Sequence, residues 1–552
     1  MSDQEPIEIT NPRLDDAEIQ ALASYGRRRS LHDGDPLFRA GDRRGGFYIV
    51  LKGAIEVLDR SGDEPRRIAI HGPGQFTGDI DILTRRRPVV GAIARGETEV
   101  FGVSSGDVRR IIDERPRLGD TILRAFIARR EELLESGFEG LRLIGSGASR
   151  ESFQMREFLS RNQVPFTWID VEEESGVADT LADFGIAEAD LPVVAYAGDP
   201  LMRNPSIREV ADALGLRRPI RSEPYDLVIV GAGPAGLAAA VYGASEGLAT
   251  LVLEGVAPGG QAGASTKIEN YLGFPTGITG ADLTGRATLQ AQKFGAELSS
   301  PAPVSGMEVD GDYPVIQLET GERAAARCVL IATGADYSKL DVPDRERFDG
   351  VGIYYAATPT ELTACAGSDV VVVGGGNSAG QAVMFLSEHT RRVQLLVRSG
   401  DLRKSMSSYL AGRVEAAENV EVLCHTEVRQ VLGDDRLNAV VVENTRTGES
   451  RTIRTPGLFS FIGAVPRTTW LPPQIETGPK GFIRTGRAIT NSVNWRLQRE
   501  PYLLETSHPG VFAAGDVRLG SIPRVSSAVG EGAMAVKFVH AYLAEQSAPA
   551  TA

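Results

Sequence analysis

The sequence has few cysteines, and those few lie far apart. Cys328, Cys365 and Cys424 are the three in 552 residues, so their number and spacing fit neither a disulfide framework nor a zinc site. Basic residues are outnumbered as well: a formal net charge of −14 argues against non-specific nucleic-acid binding, which needs clustered cations to neutralise phosphates. The start, MSDQEPIEIT, lacks the basic and apolar pattern of a signal peptide, and no stretch long enough for a membrane helix is free of glycine, proline and charge. We therefore expect a cytoplasmic protein with no membrane span, no metal site and no nucleic-acid partner.

Length and local patterns predict several domains. At about 150 residues per domain, 552 residues correspond to three or four units. Residues 1–138 alternate short apolar runs with glycine turns and then change to a helical period, which predicts a β-roll with helices. Residues 139–217 predict a small α/β unit, with strands LRLIG, FTWIDV and PVVAYA and helices ESFQMREFLSR, VADTLADFG and SIREVADALG. A linker, 218–225, follows, and 546–552 form a tail.

From residue 226 onward the pattern of strand, glycine turn and helix occurs twice, which predicts two dinucleotide-binding units. In the first, Gly231, Gly233 and Gly236 follow the strand DLVIV, because the backbone there must turn sharply and aim its N–H groups at a pyrophosphate. The next strand, TLVLE, ends in Glu254, whose carboxylate can bind ribose hydroxyls.

The second turn carries Gly374, Gly376 and Ala379 in the fingerprint positions. The strand after it ends in Arg398 rather than an acid, and Arg403 follows, so NADPH is favoured over NADH.

Several further motifs make residues 226–543 resemble the thioredoxin reductase family. They are GGQ at 259–261, IENYLGFP at 268–275, IATGA at 331–335, FIGAVPRT at 461–468 and VFAAGDV at 511–517. The resemblance implies two Rossmann-like, three-layer α/β domains, an FAD domain at 226–336 and 463–545 with an NADPH domain inserted at 337–462, and a homodimer. It also implies two sets of cofactor contacts. The FAD set is Gly231, Gly233, Gly236, Glu254, Gly260, Gln261, Asn270, Gly334, Gly515, Asp516, Arg524 and Val525; the NADPH set is Gly374, Gly376, Asn377, Ser378, Ala379, Arg398 and Arg403.

The chain departs from this family where the redox disulfide belongs. The family has CATC where this chain has AATP, at 356–359, and a shift of one place still leaves no cysteine. Thiol–disulfide exchange requires a thiolate attacking a sulfur, which none of these residues supplies. Cys365 is a candidate lone redox thiol or a buried hydrophobe, and Tyr354 and Tyr355 either line the vacated space or pack as aromatics. In the family's basic cluster, here VRSGDLR, Ser399 replaces an arginine.

The unit at 139–217 resembles the thioredoxin and glutaredoxin fold. Pro192 of LPVV matches that family's cis-proline, and Ser149 and Ser152 stand at the positions of its two redox cysteines. Serine suits a helix N-cap but cannot carry electrons. The resemblance implies a docking or spacer module without its chemistry.

The first unit resembles the cyclic-nucleotide-binding domains of bacterial regulators, on the residues FRAGDRRGGFYIVLKGAIEVL and GQFTGDIDILTRRRP. Gly78 and Asp79 match the turn that binds the ribose 2′-hydroxyl. Val89 and Val90 stand where the phosphate-binding arginine and hydroxyl belong, although Arg86 or Arg87 can approach from the turn. Both a cyclic-nucleotide site and a structural or protein-docking roll remain open.

The favoured function is an FAD-dependent oxidoreductase that passes hydride from NADPH to FAD and electrons on to an external acceptor, without a CxxC pair of its own. A ferredoxin, a flavodoxin, a quinone, oxygen or an external disulfide protein is each compatible with the sequence. Two alternatives stay open: a redox or cyclic-nucleotide sensor that binds FAD and NADPH but turns over slowly, and a thioredoxin-disulfide reductase with an unrecognised sulfur centre.

Overall fold

The computed structural model divides the chain into two compact units. It describes residues 9–42, 46–59, 65–79, 81–84, 86–135, 141–147, 149–173, 181, 185–196, 201–265, 267–309, 311, 313–363, 365–489, 495 and 497–547. The first unit comprises Met1–Ser146, Phe158–Arg218 and Gln292–Phe294, and the second Gly147–Glu157, Pro219–Ala291 and Gly295–Ala552. Among the described residues, we find no helix with the length and apolar character needed to span a membrane.

Among its described residues, the first unit opens with a five-stranded antiparallel sheet and helices on both sides of it in sequence. Its strands are β1 (Gly26–Leu31), β2 (Pro36–Phe38), β3 (Phe47–Asp59), β4 (Arg66–His71) and β5 (Gly91–Val103). Its helices are α1 (Asp16–Ala21), α2 (Asp81–Thr84), α3 (Ser105–Glu114) and α4 (Pro116–Glu135). The strand order is β1-β5-β3-β4, with β2 paired to β5. Phe47 and Phe76 pack against Phe126 of α4 in edge-on contacts, so apolar side chains from the sheet and the helix share one core.

A second, four-stranded sheet follows, in the order β7-β6-β8-β9. Its strands are β6 (Leu141–Gly145), β7 (Thr167–Asp170), β8 (Val193–Tyr196) and β9 (Met202–Arg203), and the helices of this part of the chain are α5 (Arg150–Arg161) and α6 (Ile207–Leu214). The Leu191–Pro192 peptide bond that precedes β8 is cis. The helix predicted for VADTLADFG lies, apart from Leu181 and Gly185, outside the described residues.

The largest sheet of the second unit has seven strands drawn from two distant parts of the chain. They are β10 (Tyr225–Val230), β11 (Thr250–Leu253), β12 (Glu297–Ser299), β13 (Val304–Glu308), β14 (Val315–Leu318), β15 (Arg323–Ile331) and β26 (Val511–Ala513). Strand β26 pairs in parallel with β15. The helices are α7 (Pro234–Ser245), α8 (Gly260–Gly263), α9 (Gly280–Lys293) and α14 (Val525–Ser547), and α14 packs on α7.

Between β15 and β26 in sequence lies another sheet, whose strands are all parallel, in the order β17-β24-β18-β19-β20. Its strands are β17 (Ile353–Tyr354), β18 (Asp369–Val373), β19 (Arg392–Val397), β20 (Val420–Cys424) and β24 (Gly457–Ser460). A three-stranded sheet, β21 (Thr426–Gly433), β22 (Leu437–Asn444) and β23 (Ser450–Arg454), and the pair β16 (Ala335–Tyr337) and β25 (Ala464–Pro466) accompany it. The helices are α10 (Arg345–Phe348), α11 (Pro359–Thr363), α12 (Asn377–Ser387) and α13 (Ser408–Ala416). The run VVVV at 370–373 of β18 is apolar and buried because both faces of a parallel sheet are covered.

Candidate nucleotide sites, disulfide position and β-roll cavity

The turn between β10 and α7 can be formed only by glycine at two of its positions. Gly231 has φ +104°, and a Cβ on it would collide with the carbonyl oxygen of Ala332. A Cβ on Gly236 would collide with the carbonyl oxygen of Gly231 itself. At Gly233, by contrast, the nearest heavy atom to such a Cβ is the Gly260 Cα, at 4.0 Å, so the turn leaves open space there. The turn thus leaves room for a phosphate group at the start of α7.

Glu254 holds this turn from the end of β11. Its carboxylate is buried and accepts hydrogen bonds from the backbone N–H of Ala232, at 2.7 Å, and of Val256, at 3.0 Å. A carboxylate can accept about four hydrogen bonds, so capacity remains for ribose hydroxyls beside the turn.

Asp516 follows β26 and carries an acceptor without a partner. Its Oδ1 is buried and has no hydrogen-bond partner among the described residues. Burial, helped by the neighbouring Glu531 carboxylate, raises the pKa of Asp516 to about 6. A buried acceptor of this kind fits a group that brings hydroxyl donors, as the ribityl chain of FAD does.

The remaining residues expected around FAD also lie in the second unit. Gln261 donates from Nε2 to the carbonyl of Ala335 at 2.9 Å, and Gly260 and Gly334 both have positive φ. Asn270 and Arg524 are exposed, and Val525 begins α14. Gly515 donates its N–H to Glu531 at 2.7 Å, which fixes the loop that carries Asp516.

The second glycine turn lies between β18 and α12. Gly374 has φ +143°, and a Cβ on it would lie 2.5 Å from the Phe461 carbonyl oxygen, whereas at Gly376 nothing lies within 4 Å. Asn377 accepts from the Ser407 N–H at 2.8 Å. Ala379 is buried and Ser378 is exposed at the start of the helix. As in the first turn, the first glycine has a positive φ and the second leaves open space, whereas Ala379 stands at the third position.

The two arginines expected near a 2′-phosphate differ in their surroundings. Arg398 is exposed at the end of β19. Arg403 forms a two-point ion pair with Glu415 of α13, at 2.5 and 2.6 Å, which raises the pKa of Arg403. Sequence spacing alone does not reveal this pair because Glu415 lies twelve residues further along the chain.

The segment where the sequence analysis expects the family's redox disulfide is packed and hydrogen-bonded. The Tyr354 ring is buried against Phe459, with ring centroids 5.3 Å apart. The Tyr355 hydroxyl donates to Asp349 at 2.8 Å and accepts from Arg345 at 3.4 Å. Burial raises the pKa of Tyr355 to about 12, so it stays protonated at neutral pH.

The two fully buried cysteines are not thiolates at neutral pH. Burial raises the pKa of Cys365 to about 12, and it raises that of Cys328 as well. Because the thiolate is the nucleophile in disulfide exchange, neither side chain is set up for that reaction.

Glu361 is a site residue that the sequence analysis missed. It is 4% exposed, and its carboxylate accepts from the Thr358 N–H at 2.7 Å at the start of α11. Burial is the main cause that raises its pKa to about 7. The spacing Thr358-x-x-Glu361 is that of a capping box and signals the helix start, but not the burial.

The first unit contains a cavity of about 1130 Å³ beside the turn that carries Gly78 and Asp79. Its described lining residues include eight arginines and three acidic residues. The arginines are Arg27, Arg28, Arg29, Arg66, Arg67, Arg86, Arg129 and Arg218. Val89 and Val90 also line it, and of the two arginines considered on the turn, Arg86 and not Arg87 is among the described lining residues. The cavity therefore favours an anion.

Some buried polar atoms on the cavity wall have no hydrogen-bond partner among the described residues. His71 is 2% exposed, and its Nδ1 has no hydrogen-bond partner among the described residues; neither has Oδ2 of the buried Asp81. Burial lowers the pKa of His71 to about 3, so the ring is neutral. Asp79 pairs with Arg130 of α4 at 3.2 Å, and Asp81 pairs with the same guanidinium.

The fold and the two glycine turns define an oxidoreductase that binds two dinucleotides. Residues 225–532 match the model of the pyridine nucleotide-disulphide oxidoreductase family, and residues 28–115 match that of the cyclic nucleotide-binding domain. The chain belongs to the pyridine nucleotide-disulphide oxidoreductase family and is of the thioredoxin reductase type, whose members use FAD and NADPH. The predicted family, enzyme class and cofactors are confirmed.

Similar proteins cover this C-terminal part of the chain. Thioredoxin reductases of Mycolicibacterium smegmatis and Bacillus subtilis are each 34% identical, over 58% of this chain and 97% and 95% of their own lengths. A 34.2 kDa protein in the rubredoxin operon of Clostridium pasteurianum is 32% identical over 58% of this chain and 97% of its own. The crystal structure of Lactococcus lactis thioredoxin reductase aligns with TM-score 0.52 and 30% identity, over 58% of this chain and 99% of that one.

Proposed function

We propose that this protein oxidises NADPH through FAD and delivers the electrons to an external acceptor without a disulfide of its own. The observation that carries the proposal is Cys365. It is the cysteine nearest in sequence to AATP, and it is fully buried with a pKa raised to about 12. A thiol in that state does not attack a disulfide, and all three cysteines of the chain are free.

The residues of the two glycine turns have separate roles in this proposal. FAD supplies the hydride-accepting chemistry. Gly231, Gly233 and Gly236 receive its pyrophosphate, and Glu254 and Asp516 accept from its hydroxyls. Gly374 and Gly376 receive the NADPH pyrophosphate, with Arg398 beside the 2′-phosphate. Tyr354 and Tyr355 keep the vacated segment closed by packing and hydrogen bonding.

An anaerobic NADPH titration of the FAD-loaded protein tests the proposal, with flavin absorbance followed to the end point. We expect bleaching to be complete after one NADPH per FAD, because NADPH gives two electrons and the flavin takes two. Uptake of a second equivalent would mean a redox sulfur centre and would overturn the proposal; a Cys365→Ser variant would then identify the thiol. Very slow bleaching in wild-type protein would favour the slow sensor instead.

A second function, nucleotide sensing by the first unit, is favoured by the arginine-lined cavity. We propose that it takes a cyclic nucleotide, with Arg86 in place of the arginine that Val89 replaces. At one hundred times its dissociation constant such a ligand stabilises the domain that binds it by about 2.7 kcal/mol. We expect cAMP or cGMP to raise the melting temperature of the full chain by several degrees, and an Arg86→Ala variant to lose this shift. If neither nucleotide raises the melting temperature and calorimetric titration detects no binding, the sensing proposal is wrong and the β-roll has a structural role.

A further inference from the structure

Two motifs that have lost their cysteines lie next to each other. The resemblances described above place Ser149 and Ser152 at the positions of the redox cysteines of a thioredoxin-like unit, and 356–359 at the position of the reductase disulfide. Residues Gly147–Glu157 belong to the second compact unit, together with the parallel sheet that contains β17. The structure therefore places the start of α5 against the segment around Tyr354.

The contact between them is aromatic at its centre. The Phe153 ring lies 6.0 Å from the Tyr354 ring, centroid to centroid, in a tilted arrangement. Phe153 also packs on the apolar cluster that contains Tyr354, Cys365 and Phe459. Gly350 also lies beside this ring, since a Cβ built on it would be 3.6 Å from the Phe153 ring, in van der Waals contact.

Polar groups on both sides of Phe153 extend the contact. Arg150 donates from its guanidinium to the Glu346 carbonyl at 2.5 Å. One turn further along α5, Glu157 lies close enough to Glu361 to help raise the pKa of that carboxyl. The contact thus runs from residue 346 to residue 361.

The two serines take structural roles in this arrangement. The Ser149 Oγ accepts from the Ser152 N–H at 3.2 Å and so caps α5. The Ser152 side chain is fully buried, and its Oγ has no hydrogen-bond partner among the described residues. A buried hydroxyl without a partner costs free energy, which the surrounding apolar contacts must offset.

We propose that Ser149–Glu157 is a built-in occupant of the surface at 346–361 and closes it to other proteins. A protein disulfide that approached the former disulfide position would have to displace Phe153 and Arg150 first. The protein's own segment, with serine in both cysteine positions, takes the place of such a partner but exchanges no electrons. This inference goes beyond the proposed function and does not depend on which acceptor is used.

Hydrogen–deuterium exchange of the full, FAD-loaded chain tests the occupancy. We expect Phe153→Ala to speed exchange in peptides from 147–157 and from 346–363 by at least about tenfold, since losing the ring removes the centre of the contact. Gln154→Ala, at an exposed position on the same helix, is the matched control and should change neither peptide. Arg150→Ala should act in the same direction as Phe153→Ala, and it provides a second test if Phe153→Ala fails to fold.

A size-dependent label tests the closure to proteins. In a Cys424→Ser background, the half-buried Ala356 is changed to cysteine, and its labelling rates with N-ethylmaleimide and with a bulky polyethylene-glycol maleimide are compared. We expect Phe153→Ala to raise the ratio of the bulky to the small reagent about tenfold, and Gln154→Ala to leave it unchanged. If Phe153→Ala and Gln154→Ala show the same hydrogen–deuterium exchange rates and the same labelling ratio, the proposal is overturned, whatever the NADPH titration shows.

Discussion

Gly236→Ala protein is expected to purify without bound flavin. Gly236 lies in the first turn of α7, where a Cβ would collide with the carbonyl oxygen of Gly231. The helix must then move away from β10, and the backbone N–H groups of the turn no longer converge on the pyrophosphate. The ratio of flavin to protein absorbance measures the loss, and added FAD should restore little of it.

Gly412→Ala is the matched control for that substitution. Gly412 lies within α13, and a Cβ on it would have nothing within 4 Å. Alanine is the better helix former by about 1 kcal/mol, so this variant should retain its flavin and be no less stable than wild type. A Gly236→Ala protein with a full complement of FAD would contradict the role of the first glycine turn.

Glu361→Gln is expected to change how stability depends on pH. Burial favours the protonated form of Glu361, whose folded-state pKa of about 7 lies above the unfolded value of 4.5. The folded state therefore binds more protons than the unfolded state between these pH values. The contribution of the protonated Glu361 to folding stability is fully present below about pH 4.5 and is lost as the pH rises through about 7.

The size of this effect follows from the shift. A change from 4.5 to about 7 corresponds to about 3 kcal/mol. Glutamine has no carboxyl proton to lose. As the pH rises, the stability of the variant relative to wild type should therefore increase by up to that amount. Thermal unfolding, followed by flavin fluorescence at a series of pH values, measures the difference.

An exposed carboxyl provides the control for this experiment. Glu418→Gln removes the same charge from an exposed position. The groups that act on Glu361 are Thr358, which donates to it, and the carboxylate of Glu157. If Glu361→Gln and Glu418→Gln follow the same pH curve, then folding does not raise the pKa of Glu361 and the expectation is wrong.

Sequence predicts the parts of this protein that depend on local pattern. The turns at Gly231 and Gly374 can be recognised in the sequence because a strand, a tight turn and a helix must follow in order. The match to the pyridine nucleotide-disulphide oxidoreductase family confirms that type of unit. The β-roll is legible from short apolar runs between glycines, and the match to the cyclic nucleotide-binding domain supports it.

Contacts between residues far apart in the sequence could not be predicted from the sequence alone. No pattern pairs Arg403 with Glu415, Asp79 with Arg130, or Phe153 with Tyr354, because each depends on how elements pack. The burial of Glu361 has the same origin: its capping-box spacing is local, but the apolar surroundings that shift its pKa come from elsewhere in the chain.

The position of β26 has a consequence for the order of synthesis. This strand lies beside β15, yet residues 332–510 separate the two, and α14, which packs on α7, follows it. A growing chain that has left the ribosome up to residue 510 holds both glycine turns but an unfinished sheet, with the edge of β15 unpaired and the apolar face of α7 bare. The seven-stranded sheet can therefore be completed only after residues 332–510 have been made, and a nonsense codon before residue 511 would yield a chain that lacks both β26 and α14.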